Sequence, residues 1–225
     1  MAAPTAELSL EAANRRFDGA PPEETIAWAA QRFGDDLVLA SSFNDCVLID
    51  LVARTAPEVT VVFLDTQYHF TETLAYVEQV RERYGLRMEI LRPLMAPDDR
   101  WQTDPDGCCA ARKVEPLGRA LRNRGAWLSG LRRAEAVTRA SAPVVAWDSR
   151  WQAVKVNPIV AWSDEQVEAY KRERDLPEHP LRSAGYRSIG CWPCTRPTGE
   201  DEDARAGRWS GTGKLECGLH LAASP

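Results

Sequence analysis

Residues Asp36–Thr66, DLVLASSFNDCVLIDLVARTAPEVTVVFLDT, are the stretch that decides the fold. Asp36–Ser42 is a short apolar run that ends in small polar residues, and Asn44–Ala56 has the apolar spacing of a helix packed on a sheet. Val59–Leu64 is β-branched and apolar without alternation, as expected of a parallel strand that is buried on both faces. Strand, polar turn, helix and strand together make a βαβ unit.

Helical and strand patterns continue to alternate outward from this unit. Ser163 and Gln166 form a Ser-x-x-Gln capping box at the start of one helix. The other predicted elements follow from apolar spacing and stop signals. They are helices over Glu23–Phe33, Thr71–Tyr84, Arg112–Arg124 and Ser163–Arg174, and strands over Arg87–Leu91 and Ala126–Ser129. We therefore predict an α/β fold with an open, mostly parallel, doubly wound sheet and helices on both faces.

The composition changes after Leu176, where Pro, Gly, Arg and Trp dominate with little periodicity. We predict an α/β domain over residues 1–182, including an N-terminal helix, and a C-terminal segment over residues 183–225 that is not an independent domain. A chain of 225 residues is long enough for one substantial core.

Ligands of open α/β sheets bind beyond the carboxyl ends of the strands. Three polar segments are expected to meet there: Ser41–Asp45, Asp65–His69 and Gly130–Arg139. Two of these segments have a simpler interpretation as well. Asp65 and Thr66 could cap the following turn, the arginines of the third segment could be a solvated surface, and His69 is left without a role.

The overall charge excludes some classes of function. A net charge of −5 gives no general basic surface for non-specific nucleic-acid binding. No apolar run approaches the roughly 18 residues that span a bilayer, and the N-terminus lacks a basic region followed by an apolar core. We expect a cytoplasmic protein with six reduced cysteines, which favours metal ligation or catalysis over disulfides.

Four cysteines fall into two separated pairs: Cys108 with Cys109, and Cys191 with Cys194. Sites with four cysteines hold zinc or an iron–sulfur cluster. Adjacent residues on a helix diverge by about 100°, so they reach two irons of a bulky cluster more easily than one zinc ion. Spacing favours a 4Fe-4S cluster, and zinc or unligated cysteines remain alternatives.

The other two cysteines differ from these pairs and from each other. Cys46 lies among apolar residues of the first βαβ helix, and we expect it to be buried and structural. Cys217 stands alone near the C-terminus, where a free thiol is a liability unless it is used. Nearby cations favour its thiolate and Glu216 opposes it. The cations are Arg205, Arg208, Lys214 and His220.

Seven motifs, in order from about residue 36 to residue 220, resemble those of the sulfonucleotide reductases, specifically the adenylyl-sulfate reductases that carry a four-iron cluster. The paired cysteine motifs with the terminal ECGLH are highly specific. The motifs are SSFND (41–45), LDTQYHF (64–70), CCAARK (108–113), GLRR (130–133), KVNPI (155–159), CWPC (191–194) and ECGLH (216–220). The resemblance implies a nucleotide-binding sheet of the adenine nucleotide alpha-hydrolase-like type, with the C-terminal segment as a lid.

The resemblance also implies a reaction. Cys217 would attack the sulfur of adenosine 5′-phosphosulfate and expel AMP, and thioredoxin or a similar dithiol would then release sulfite from the enzyme thiosulfonate. Lys113 would lie between the cluster and the substrate. The catalytic residues it implies are Cys217, His220, Lys113, Arg205 and Arg208.

The ligands follow from the same motifs. The implied cofactor is a 4Fe-4S cluster held by Cys108, Cys109, Cys191 and Cys194. The implied substrate-binding residues are Ser41, Ser42, Phe43, Asp45, Leu64, Asp65, Thr66, Gly130, Arg132, Arg133 and Arg139.

Some residues depart from related patterns. SSFNDC lacks the glycines of the ATP pyrophosphatase loop that cradles pyrophosphate, which argues against ATP cleavage. Gln67 stands where many relatives have glycine. Trp192 and Trp209 are either packing residues or an exposed partner surface. The sequence leaves open whether the chain forms a homo-oligomer.

Two other functions are compatible with the sequence. One is reduction of 3′-phosphoadenosine 5′-phosphosulfate; in this family the cluster cysteines accompany the substrate without the 3′-phosphate, and all four are present here. The other is a zinc-stabilised nucleotide-binding module in which Cys217 is incidental. That version predicts a colourless protein that releases no sulfite.

Overall fold

The computed structural model describes residues 9–219, and within that range six strands form one sheet. The strands are β1 (Leu37–Ser41), β2 (Thr60–Leu64), β3 (Met88–Leu91), β4 (Ala126–Ser129), β5 (Val145–Asp148) and β6 (Ala153–Val156). Their spatial order is β3-β2-β1-β4-β6-β5, and every neighbouring pair is parallel except β5 with β6. The predicted mostly parallel sheet is confirmed.

Helices cover both faces of this sheet, as predicted. The α-helices between residues 9 and 219 are α1 (Leu10–Phe17), α2 (Pro22–Phe33), α3 (Val47–Thr55), α4 (Thr71–Tyr84), α5 (Arg100–Thr103), α6 (Pro105–Cys109), α7 (Glu115–Leu121) and α8 (Asp164–Glu173). The larger core joins one face of the sheet to α1, α2, α3, α4 and α8. A smaller core joins the other face to α7.

Strand β2 shows why its sequence has no polar alternation. Val61 and Phe63 point into the larger core, and Val62 points into the smaller one. All three are at most 2% exposed. Both faces of a central parallel strand exclude water, so every position takes an apolar side chain.

Helix α3 begins at Val47 and not at Asn44, the predicted start. The side chain of Asp45 accepts a hydrogen bond from the Val47 amide at 3.0 Å. Phe43, the residue before the predicted start, has a φ of 53°, which a right-handed helix does not allow. Residues 41–46 therefore form a turn, and the helix begins where this turn ends.

Helix α1 and the antiparallel pair β5–β6 are among the elements that were not predicted. They depend on each other through Asn14 of α1. Its side-chain amide donates to the Val145 carbonyl at 2.7 Å and accepts from the Val145 amide at 2.9 Å. Asn14 thus satisfies the outer edge of β5 as a neighbouring strand would.

The boundaries of two later helices refine the predictions. The helix predicted over residues 112–124 ends at Leu121 and not at Arg124, and it consists of a π-helical turn, Ala110–Val114, followed by α7. The capping box is confirmed at the start of α8. Ser163 Oγ accepts from the Gln166 amide at 3.3 Å, and Gln166 Oε1 accepts from the Ser163 amide at 2.9 Å.

The C-terminal segment runs over the carboxyl edge of the sheet. The Ile189 amide donates to Asn44 at 2.8 Å, and the Trp192 amide donates to the Tyr68 carbonyl at 2.8 Å. Trp192 is half-exposed. Trp209 is 4% exposed, so it is a packing residue, and the alternative of an exposed partner surface is wrong for it. In the described part of the chain, the helices are all too short or too polar to cross a membrane.

Removal of the α8 cap tests the local stability of this layer. Ser163→Ala leaves the Gln166 amide without its partner, and we expect the free energy of unfolding to fall by about 1 kcal/mol. Urea unfolding followed by circular dichroism measures it. Ser163→Asn retains a cap acceptor and should stay within about 0.5 kcal/mol of the parent; equal losses in both variants would contradict a capping role.

Candidate functional site

A cavity lies at the carboxyl edge of the sheet, where the three polar segments meet the C-terminal segment. The predicted site residues that line it are Ser41, Ser42, Asp45, Leu64, Thr66, Lys113, Gly130, Arg132, Arg139, Arg205, Arg208 and Cys217. Three other predicted residues, Phe43, Asp65 and Arg133, are placed outside its lining. His220 lies outside the described residues.

Phe43 supports the cavity floor from below. Its side chain is fully buried and meets the Phe63 ring edge-on, with 5.4 Å between ring centres. Its amide donates to Ser41 Oγ at 3.1 Å. The turn therefore presents Ser41, Ser42 and Asp45 to the cavity, while Phe43 anchors it to the core.

Asp65 organises the turn after β2. Its carboxylate accepts from the Gln67 amide at 3.0 Å and from Arg92 at 2.9 Å. Gln67 itself has a φ of 66°, the left-handed conformation that glycine adopts without strain. Its side chain accepts from Arg112 at 3.1 Å. The glutamine therefore keeps the backbone shape that suits glycine and adds one contact.

His69 is a packing residue at the cavity wall. Its Nε2 lies 3.0 Å from the Leu64 carbonyl, to which it donates, and its ring stacks obliquely on Phe63. Burial lowers the pKa of His69, so the ring is neutral at pH 7. Its Nδ1 is buried and has no hydrogen-bond partner.

The three arginines of the segment Gly130–Arg139 that were predicted as site residues point in two directions. Arg139 lines the cavity and is 7% exposed. Arg132 also lines it, but donates to Asp164 at 2.7 Å. Arg133 points away and pairs with Asp18 at 2.9 Å. The sequence could not separate the three because they lie on one irregular loop.

The two cysteine pairs converge on a second, smaller cavity. Cys108, Cys109, Cys191 and Cys194 all line it. Burial raises the pKa of Cys108 and Cys109 and raises that of Cys194 to about 11. Thr66 Oγ1 lies 3.3 Å from Cys191 Sγ. Over residues 9–219, no three Cys, His, Asp or Glu side chains are grouped closely enough to hold a single metal ion.

Two cations face this smaller cavity. Arg112 is 2% exposed, and its guanidinium lies over the Tyr68 ring, 4.4 Å from the centre. Lys113 lines both cavities. Burial lowers the pKa of Lys113, but the negative charge of the Cys191, Cys217 and Cys109 thiolates outweighs this and raises it above the ordinary value. Arg112 was not among the predicted site residues.

The C-terminal segment contributes its own cations and Cys217. Arg208 donates to Ser188 and to the Ile189 carbonyl, each at 3.3 Å. Arg205 donates to the Leu215 carbonyl at 3.1 Å. Cys217 is half-buried at the cavity wall. Arg205 and Arg208 therefore share one cavity with the thiol, as the sequence predicted.

Two other sequence expectations concern Cys46 and Glu216. Cys46 is 1% exposed in the larger core, and burial raises its pKa to about 11, which confirms a structural thiol. Glu216 was expected to oppose the Cys217 thiolate. Its carboxylate instead accepts two hydrogen bonds from Arg139, both at 2.7 Å, so its charge is neutralised locally.

Some lining residues were not predicted. Asn44, Ser188 and Gly190 are among them. Asn44 lies inside the quoted SSFND motif and could have been included on that basis. Residues 188–190 precede CWPC directly, but neither spacing nor residue type distinguishes them from the rest of the irregular segment.

The sequence matches one protein family over most of its length. The model of the phosphoadenosine phosphosulfate reductase domain matches residues 36–197. An adenosine 5′-phosphosulfate reductase of Streptomyces coelicolor is 45% identical over 218 residues, covering 93% of this chain and 92% of that protein. A phosphoadenosine 5′-phosphosulfate reductase of Gloeobacter violaceus is 44% identical over 227 residues, covering 95% and 94%.

Solved structures give a consistent picture of the fold. Phosphoadenylyl-sulfate reductase from Candida auris, as a phosphate complex, superposes with a TM-score of 0.75 at 28% identity, covering 84% of this chain and 98% of that one. Candida glabrata FMN adenylyltransferase, with FAD and pyrophosphate, superposes with a TM-score of 0.61 at 15% identity, covering 88% and 69%. The second likeness concerns the fold alone.

Lys155, from the KVNPI motif, offers a test of charge burial beside the cavity. It is 8% exposed on β6, with its ammonium 4.8 Å from the centre of the Trp127 ring. Burial lowers its pKa to about 8, and the carboxylate of Asp148 opposes the shift. The cations of Arg139 and Arg150 add to it.

A lysine pKa that is lower in the folded state than the usual 10.5 means that protonated Lys155 opposes folding below about pH 8. This cost disappears as the pH rises toward 10.5. We expect Lys155→Met to raise the melting temperature at about pH 7.5, with a gap to the parent that narrows by about pH 10. Scanning calorimetry across this range measures it.

The control is Lys155→Arg, whose side chain stays charged throughout the range. Its melting temperature should fall relative to the parent as the pH rises. A constant gap for both variants would contradict the lowered lysine pKa.

Proposed function

This chain belongs to the phosphoadenosine phosphosulfate reductase family, and on that premise we propose that it reduces adenosine 5′-phosphosulfate to sulfite and AMP. The observation that carries the proposal is the position of Cys217. This thiol lines the same cavity as Lys113 and Arg205, beneath the turns that follow β1 and β2. A nucleophile, cations and a pocket thus meet at one edge of the sheet.

The first step is attack by the Cys217 thiolate on the sulfur of the phosphosulfate. A bond forms between Cys217 Sγ and that sulfur, while the bond from the sulfur to the bridging phosphate oxygen breaks. AMP leaves with the electron pair, and Cys217 carries a thiosulfonate. Cations suit this step because negative charge builds on the leaving phosphate.

The second step needs a dithiol, for which we propose thioredoxin in the cytoplasm. One of its thiolates attacks Cys217 Sγ, and sulfite leaves with the electron pair of the sulfur–sulfur bond. The partner's second thiol then resolves the mixed disulfide and restores the Cys217 thiol. The substrate sulfur gains two electrons, and the dithiol is oxidised to a disulfide.

The cavity divides into a nucleotide half and a reacting half. We assign the turn Ser41–Asp45, together with Leu64 and Thr66, to the nucleotide. Lys113, Arg205 and Arg208 are assigned to the phosphosulfate, because guanidinium and ammonium groups make short, strong hydrogen bonds to such oxygens. This division follows the sheet topology, with the nucleotide at the strand ends and the reactive anion under the C-terminal segment.

The four paired cysteines fit a 4Fe-4S cluster as donors. They line one cavity, and four cysteine thiolates are the usual ligands of a 4Fe-4S cluster. When bound, a cluster with four thiolates would place negative charge beside Lys113. That lysine faces both cavities, and Arg112 supplies a second cation next to the cysteines.

The substrate without a 3′-phosphate is the finer part of the proposal. Relatives of nearly equal identity bear both substrate names, at 45% and 44%. The cluster cysteines support adenosine 5′-phosphosulfate, because in this family they accompany that substrate. The 3′-phosphorylated nucleotide is the second candidate.

Labelled substrate tests the first step directly. We expect anaerobically purified protein, given 35S-labelled adenosine 5′-phosphosulfate and no reductant, to carry one sulfonate on Cys217. Peptide mass spectrometry locates the label. Thioredoxin should then release it as sulfite. With thioredoxin present, kcat/KM for the 3′-phosphorylated nucleotide should be at least about 10-fold lower than for adenosine 5′-phosphosulfate.

Two variants control this experiment. Cys217→Ser should take no label, and Cys46→Ala, which removes a buried core thiol, should still be labelled on Cys217. Label on another residue, or on none, would contradict the mechanism.

Removal of a cysteine from the smaller cavity tests the cofactor. We expect the parent to be brown, with about four irons and four sulfides per chain. Cys194→Ser should lose most of this iron and its visible absorbance, whereas Cys46→Ala should keep both. Elemental analysis measures the content, and one zinc per chain in a colourless parent would exclude the cluster.

A further inference from the structure

We propose that Glu216 and Arg150 are positioning residues that fix Cys217 in the cavity, one on each side of it along the chain. This inference rests on the proposed function, since it concerns how the nucleophile is held. Glu216 anchors the residue before Cys217. Arg150, a residue that no motif singles out, anchors the two residues after it.

The anchor before Cys217 is a buried ion pair. The Glu216 side chain is 4% exposed and accepts two hydrogen bonds from Arg139, both at 2.7 Å. Thr138 donates to it at 3.1 Å, and Arg205 lies at 3.5 Å. A carboxylate with two parallel bonds from one guanidinium has a fixed orientation. The backbone that leads into Cys217 is therefore fixed as well.

The anchor after Cys217 is made by backbone carbonyls. Arg150 donates from Nη1 to the Gly218 carbonyl at 2.7 Å and from Nη2 to the Leu219 carbonyl at 3.4 Å. Leu219 also packs against the smaller core. Because Arg150 contacts two consecutive carbonyls, it fixes the path of the backbone. These contacts do not depend on which side chains the two residues carry.

Arg150 is itself held rigidly. It lies in the turn between β5 and β6, where its amide donates to Asp148 at 3.2 Å. Its guanidinium stacks over the Trp151 ring, 4.5 Å from the ring centre. The anchor is therefore attached to the sheet and not to the mobile end of a loop.

Gly218 links the two anchors through a conformation that other residues avoid. Its φ is 86°, and a Cβ at this position would lie 3.3 Å from Val114 Cγ2. The chain bends at Gly218, directly after Cys217. The thiol sits at the bend, held by an ion pair on one side and by Arg150 on the other.

The stretch before Cys217 has no regular secondary structure, so contacts with the rest of the molecule determine where it lies. Residues 210–215 contain no helix or strand, and Leu215 is 68% exposed. A nucleophile on such a segment would lose most of the rate advantage that comes from fixed geometry, and a displacement of about 1 Å can cost about 100-fold in rate.

The test uses Arg150→Met, which keeps a long side chain over Trp151 but loses the donors, and Glu216→Gln, which keeps the shape but loses the charge. Single-turnover sulfonation of Cys217 should slow by about 10-fold or more in each. The Kd of AMP should change by less than about 3-fold, because the nucleotide half of the cavity is intact.

Alkylation of Cys217 gives a readout that does not depend on the reaction. With iodoacetamide and no nucleotide, followed by peptide mass spectrometry, we expect Cys217 in both variants to react at least about 5-fold faster than in the parent, because the segment opens more often. Arg83→Met is the matched control. Arg83 also donates to a backbone carbonyl, that of Asp175 at 2.9 Å, far along the chain from the site.

The outcomes separate this inference from the proposed function. A parent that is never sulfonated overturns the proposed function, and the alkylation rates still test the anchors. A sulfonated parent with variants that match it in both rates overturns the anchors. Loss of AMP affinity in step with the loss of rate would make these residues nucleotide contacts, which also overturns the inference.

Discussion

Burial of the central strands on both faces is the constraint on which the rest of this structure depends. β1 has hydrogen-bonded parallel neighbours on either side, and its Val38 faces one core while Leu37 and Leu39 face the other. Such a strand cannot carry polar chemistry along its length. Polar residues are therefore displaced to the turns at its carboxyl end. The site lies in these turns, at the carboxyl edge of the sheet.

Most of the architecture could be predicted from the sequence because it follows from apolar spacing. The βαβ unit, the capping box at Ser163 and the burial of Cys46 are all local or compositional properties. The start of α3 was missed although it is local: the Val47 amide donates to the Asp45 side chain, and apolar spacing does not show this contact. The β5–β6 pair was missed for a different reason. Its outer edge is satisfied by a side chain of α1, more than a hundred residues away.

The sequence predicted which residues lie at the site better than it predicted where their side chains point. Lys113, Arg205 and Cys217 belong to the site residues that the motifs predicted, and they line one cavity. Arg133 could not be separated from Arg132 by sequence, because its direction is set by Asp18 on a distant segment. Phe43 has the motif position of a ligand contact but the burial of a core residue. A motif locates a turn, whereas packing decides which of its side chains face the ligand.

The amide of Asn14 has a consequence for the molecule as a whole. An outermost strand offers unpaired donors and acceptors to any other chain that approaches it. At Val145 both groups are already taken, by a side chain that imitates one peptide unit of an absent seventh strand. A second copy could add to the sheet at that point only by displacing two hydrogen bonds at once. Asn14, on the short helix α1, thus hinders the addition of another strand beside Val145.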